Sequence, residues 1–151
     1  MNERSLKVLE FFKLLKQLES YCHTDGGKGK ALALRPETGE SIIAHTTDQT
    51  EEALLMTLRC GHIPLGHFTP VTDAVARAKI GSVLSMKTLL SVASMLAIAE
   101  DVDAYYHEDI ERQNIKTISS IFDAIDPLTH LKDEIREKIL SEDEMADNAS
   151  R

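Results

Sequence analysis

Cysteine is nearly absent. Cys22 and Cys60 are the whole complement, too few for a disulfide scaffold, and they are best read as reduced, buried thiols. Proline and glycine are sparse, at four and seven residues, which leaves room for long helices. No apolar run approaches the roughly 20 residues of a membrane span. Met1-Asn2-Glu3-Arg4 has no positive patch followed by an apolar core, so no secretory signal is expected. The expected compartment is the cytoplasm, with no membrane partner. Basic charge is also short: 17 Lys and Arg face 25 Asp and Glu, a net charge of −8. Lys and Arg on phosphates supply most of the non-specific affinity for nucleic acid, and an acidic domain repels that backbone. The deficit is uneven. Residues 1–36 hold seven basic and four acidic side chains, a local balance of +3. Any nucleic-acid contact is therefore expected near the first two helices, and weak.

What the chain has is helical periodicity. Val8, Phe11/Phe12, Leu15, Leu18 and Cys22 recur at steps of three and four, one apolar stripe on a single helix from about Leu6. Thr24-Asp25-Gly26-Gly27-Lys28-Gly29 is expected to interrupt it as a flexible turn. Ala31 to Leu34 resumes as a short helix that Pro36 ends. Ser41 is the expected N-cap of a helix through Leu58, with Gly61 just past its end. An irregular stretch, 62–68, leads to a helix opened by Thr69-Pro70 and ended by Gly81. Ser85 caps the longest helix, Met86 to His107, whose apolar residues cover more than half its circumference. That width predicts the central rod of a bundle. A helix carrying Ile115, Ile118, Ile121, Phe122 and Ile125 follows. Asp126-Pro127 opens the last one, with Leu128, Leu131, Ile135 and Ile139 at heptad-like spacing. The expectation is an all-α chain of about seven helices, one helical domain over 1–140 and an acidic tail over 141–151.

No catalytic constellation emerges. Gly26–Lys30 has the glycine amides that attract phosphate, but a P-loop needs a preceding strand and a Ser or Thr after its lysine. Neither is here, so a plain connecting turn is expected. Cys22-His23, Cys60-Gly61-His62 and His67 supply zinc-ligand types, but their spacing matches no familiar finger. His107-Glu108-Asp109 sets neighbouring side chains about 100° apart on a helix, so they do not converge. No catalytic, cofactor-binding or metal-ligating residue is assigned. The residues expected to carry the fold by packing are Leu15, Leu18, Leu32, Leu54, Leu90, Leu96, Ile118 and Leu131.

Several stretches, in order, carry a resemblance. Leu9-Glu10-Phe11 precedes Leu14-Leu15-Lys16-Gln17-Leu18-Glu19-Ser20-Tyr21, and Gly27-Lys28 precedes Ala31-Leu32-Ala33-Leu34-Arg35-Pro36. Thr50-Glu51-Glu52-Ala53 leads to Cys60-Gly61-His62-Ile63-Pro64-Leu65-Gly66. Val83-Leu84-Ser85 precedes Leu89-Leu90, Asp126-Pro127-Leu128 precedes Leu131 and Ile135, and Asp147-Asn148-Ala149-Ser150 closes the series. Together these resemble the N-terminus of the MutS-two family, the Smr-domain-bearing branch of the bacterial MutS proteins. Phe12 stands where that family has Asp, and His67-Phe68-Thr69-Pro70 departs from its short loop.

The resemblance implies a non-catalytic N-terminal helical segment, a coupling arm between an ATPase and a clamp. The longer parent would be a homodimeric ATPase using ATP and magnesium, with a C-terminal Smr endonuclease domain. It would act on DNA junctions, in suppression of recombination, or on collided ribosomes. The partners implied are the remainder of the parent chain and, through it, DNA or the ribosome. The alternative reading is a stand-alone helical module that binds a partner helix or peptide. A third is a small metal-dependent enzyme using Cys22, Cys60 and the histidines.

Overall fold

The computed structural model describes residues 3–108, 115–147 and 149. Among them are eight helices and one isolated antiparallel bridge, Ile139 to Met145. The helices are α1 (Glu3–Val8), α2 (Phe11–Ser20), α3 (Asp25–Ala33), α4 (Glu40–Cys60), α5 (Thr72–Lys79), α6 (Met86–Glu108), α7 (Ser119–Asp123) and α8 (Thr129–Lys138). The all-α class expected from the periodicity is what is observed. No helix among the described residues is long and apolar enough to cross a membrane.

α6 is the axis, as its wide apolar face predicts. It has no Gly or Pro within it, and the Ser85 hydroxyl accepts the Thr88 amide at 3.3 Å at its start. Its first half packs along α8, burying Ala93 with Ile135 and Ile139. Its second half buries Val102, Tyr105 and Tyr106 with Met56, Ile115, Ile118 and Phe122. Tyr106 stacks on Phe122, ring centroids 4.6 Å apart and planes within 5°. The Tyr105 hydroxyl donates to the Gly61 carbonyl at 2.8 Å, tying α6 to the end of α4.

Six local expectations are corrected. The first helix is two, because Glu10 adopts a left-handed backbone (φ 55°) and breaks the run between Val8 and Phe11. The glycines after Thr24 lie inside α3 and do not form a turn. Thr24 caps that helix by accepting the Gly27 amide at 3.0 Å, and packing of α3 on α2 offsets the roughly 0.5–1 kcal/mol that each helical glycine costs. A Cβ on Gly27 would stand 3.1 Å from the Thr24 hydroxyl, so the missing side chain is what lets the cap close. Ser41 is not the cap of α4, which begins at Glu40. The Glu37 carboxylate accepts the Thr38 and Gly39 amides at 2.7 and 2.9 Å and turns the chain two residues early, with Gly39 at the cap position. α5 begins at Thr72, past Thr69-Pro70, and α7 keeps only five residues of the stretch 115–125. There the amides of residues 116–118 bond to a side chain and not to a preceding turn. The last helix likewise starts later, at Thr129, because Asp126 accepts the Leu128 amide at 3.1 Å and Leu128 is left-handed (φ 44°).

The end of the described chain folds back on α8. The Ala146 amide reaches the Lys138 carbonyl at 2.9 Å, and Lys87 meets Glu142 at 3.0 Å.

Candidate functional site

The side chains singled out in the sequence do not assemble into a reactive centre. Cys22 is half-buried and its thiol donates to the Leu18 carbonyl at 3.5 Å. Cys60 is exposed, which corrects the expectation of a buried thiol. It is the last residue of α4, and the chain turns away at Gly61 with φ 80°. His23 and His67 both line a small cleft of about 240 Å³, with Asp25, Phe68 and Met95. Neither cysteine lines it. Among the described residues, no group of three or more His, Cys, Asp or Glu is placed to hold a metal. His107 turns back along α6, its Nδ1 2.9 Å from the Asp103 carbonyl oxygen; Asp109 lies outside the described residues. Lys16 and Lys28, in the basic N-terminal stretch, sit 2.9 and 3.5 Å from Glu19 and Asp25 on their own helices, and Lys13 is held by Glu10. Three of the seven basic side chains of this stretch thus face a carboxylate of their own segment.

The most ordered electrostatics are structural. The Glu52 carboxylate, on the inner face of α4, accepts the amides of Lys116, Thr117 and Ile118 at 3.0, 2.8 and 2.9 Å. Burial acts to raise its pKa. The amides of Lys116, Ile118 and Thr117, with the Thr117 side chain, outweigh that and hold it below the ordinary value of 4.5. On the other side of α6, the Lys132 ammonium donates to Glu100, which also accepts the Thr129 hydroxyl at 3.1 Å. The Lys132 bond is the chief reason the Glu100 carboxyl sits below its usual range and the Lys132 ammonium above its own. Glu52 pins α4 to the 116–118 turn, and Glu100 with Lys132 pins α6 to α8. Sequence reasoning missed both. Each joins residues more than 30 positions apart, and no local pattern marks them.

The other prominent feature is apolar surface left in the open. Of the eight residues expected to pack, Leu15, Leu96 and Ile118 are buried and Leu32 and Leu90 half-buried. Leu18, Leu54 and Leu131 are corrected: they are 41, 56 and 42% exposed. Leu131 rims an open, almost wholly apolar cleft between α5, α6 and α8, lined also by Val75, Ala78, Leu84, Val92 and Ile135. Leu54 belongs to the outer face of α4, turned away from Met56, which is 1% exposed. α4 packs on no other helix as closely as α8 does on α6 or α3 on α2.

Comparison with known proteins finds relatives named Endonuclease MutS2. The protein of Alkaliphilus oremlandii is 35% identical over 150 residues, those of Agathobacter rectalis and Clostridium beijerinckii 34 and 32%. These matches cover 99 to 100% of this chain and 19% of each relative, so the chain spans about a fifth of their length. No protein-family model matches, and no solved structure matches significantly.

Proposed function

From a similarity that runs the whole length of the chain and supports the MutS2 family, we propose that this is the non-catalytic N-terminal helical segment of a MutS2-like protein. The 31–35% identity over 99% or more of the chain carries the reading. In the parent it serves as a coupling arm, passing rigid-body movement between an ATPase and a nucleic-acid clamp. The parent is a cytoplasmic homodimer that uses ATP with magnesium and an endonuclease domain elsewhere in its chain, and it works on DNA or on collided ribosomes. The physical support is the build of α6. A close-packed rod shifts as a unit and does not deform smoothly, and this one is bonded at both ends: Lys87 to Glu142 near its start, the Tyr105 hydroxyl to Gly61 near its finish.

The test separates coupling from chemistry. The purified 151-residue chain is expected to turn over no ATP. In the parent, Lys132→Ala loosens α6 from α8; basal ATP turnover is expected to persist while its stimulation by nucleic acid falls severalfold. ATP turnover by clean 151-residue material, or stimulation unchanged in the variant, contradicts the arm. A gene that ends close to residue 151, with no Walker A motif downstream, favours the stand-alone interaction module instead.

A further inference from the structure

The stretch that forms α1 and α2 has the sequence of a single helix. Residues 3–20 contain no Gly or Pro, and Val8 stands four and seven residues before Phe12 and Leu15, on the same face of an unbroken helix. The chain bends there nonetheless. Glu10 takes φ 55° and ψ 25°, a left-handed backbone that is costly for a residue other than glycine. α2 then starts without a side-chain cap, so its first amides have no partner within the helix. Val8 and Leu9 are left 75 and 62% exposed, and Leu6 is the one buried residue of α1.

Leu128, the other non-glycine residue with positive φ among those described, shows what a secured bend looks like. It follows Pro127, and its amide donates to the Asp126 carboxylate at 3.1 Å. A helix cannot run through that proline without losing a hydrogen bond, so the bend has no straight rival. Glu10 has neither support. The burial of Leu6 and an exposed ion pair with Lys13 accompany its bend, and a pair three residues apart forms equally well on an unbroken helix. Strained backbone persists only where its surroundings over-determine it. Here one leucine opposes the left-handed residue, the uncapped helix start and two exposed apolar side chains.

We propose that Glu10 is a hinge, at which α1 and α2 exchange between the bent form and one continuous helix over residues 3–20. In the straight form Glu10 returns to the right-handed region, and the amides of Phe11 and Phe12 reach the carbonyls of Lys7 and Val8. Val8 joins the face of Phe12 and Leu15, and Leu6 gives up its buried place. α2 keeps its packing on α3, so α1 is the part that moves.

The experiment places bio-orthogonal spin labels at residues 3 and 20, both exposed, in the whole protein that carries this chain, with labelled copies diluted among unlabelled ones. A continuous helix sets the two backbones about 26 Å apart; the bent form, with α1 packed on α2, sets them closer. Pulsed dipolar spectroscopy is expected to resolve both separations in the wild type. Glu10 is exposed, so its variants leave the core intact. Glu10→Gly removes the left-handed strain and is expected to lower the ratio of long to short separations at least threefold. Glu10→Ile introduces a β-branched side chain, for which positive φ is an outlier, and is expected to raise that ratio at least threefold. A single separation in the wild type, or a ratio that does not climb from the glycine variant through the wild type to the isoleucine variant, overturns the hinge.

Discussion

Glu52 shows how much one side chain holds in this fold. Its carboxylate closes three backbone amides, 116 to 118, that no helix satisfies. Glu52→Ala strands those donors and is expected to destabilise the chain by about 1–3 kcal/mol, read from urea unfolding at pH 7. The pH dependence has a definite sign. Glu52 is held below its unfolded value of 4.5, so its contribution is complete above that value and is lost as the pH falls through the lower folded value. The wild type is therefore expected to lose stability below about pH 4.5 more steeply than Glu52→Ala, which has no such carboxylate to protonate. Parallel acid-unfolding curves for the two would show that the amide contacts are not what they are argued to be. In the sequence, Glu52 was one more acid on a helical pattern. Its role depends on a turn 64 residues away.

Helix α4 is where reading by periodicity went furthest astray. Leu54 and Met56 are two positions apart, both apolar, both on a helix. Only the tertiary placement makes Met56 the largest fully buried side chain among the described residues, at 1% exposure, and leaves Leu54 at 56%. Met56→Ala is expected to cost about 2–5 kcal/mol, the transfer loss plus a cavity. Leu54→Ala in the isolated chain is expected to change stability by no more than about 0.5 kcal/mol. Thermal or denaturant unfolding of the two variants checks the pair, and equal costs would mean that α4 is rotated from the orientation described. The glycine-rich start of α3 carries the same lesson with the opposite sign. Low propensity at Gly26, Gly27 and Gly29 argued for a turn, but a threonine cap and packing on α2 prevail.

For the whole molecule, charge decides what the isolated chain can bind. A net charge of −8, with Lys13, Lys16 and Lys28 each against a carboxylate one helical turn away, leaves little to neutralise phosphates. Fluorescence anisotropy with duplex DNA is expected to give dissociation constants no tighter than the non-specific range, about 10⁻⁴–10⁻⁶ M at physiological salt, weakening as salt rises. Tight binding that ignores salt would point to base-reading contacts that none of the surfaces described here provides.

The sequence by itself determined the class and the punctuation. Helical steps of three and four, few glycines and prolines, and Gly61 and Gly81 just past two helix ends are short-range facts, and backbone geometry answers to them locally. It also carried the family resemblance, which depends on the order of motifs. The tertiary structure alone decided which apolar faces are covered. Burial of a helix face is settled by what lies opposite, and here the Glu52 and Lys132 contacts orient α4 and α8 so that Met56 and Ile135 turn inward while Leu54 and Leu131 stay at the surface.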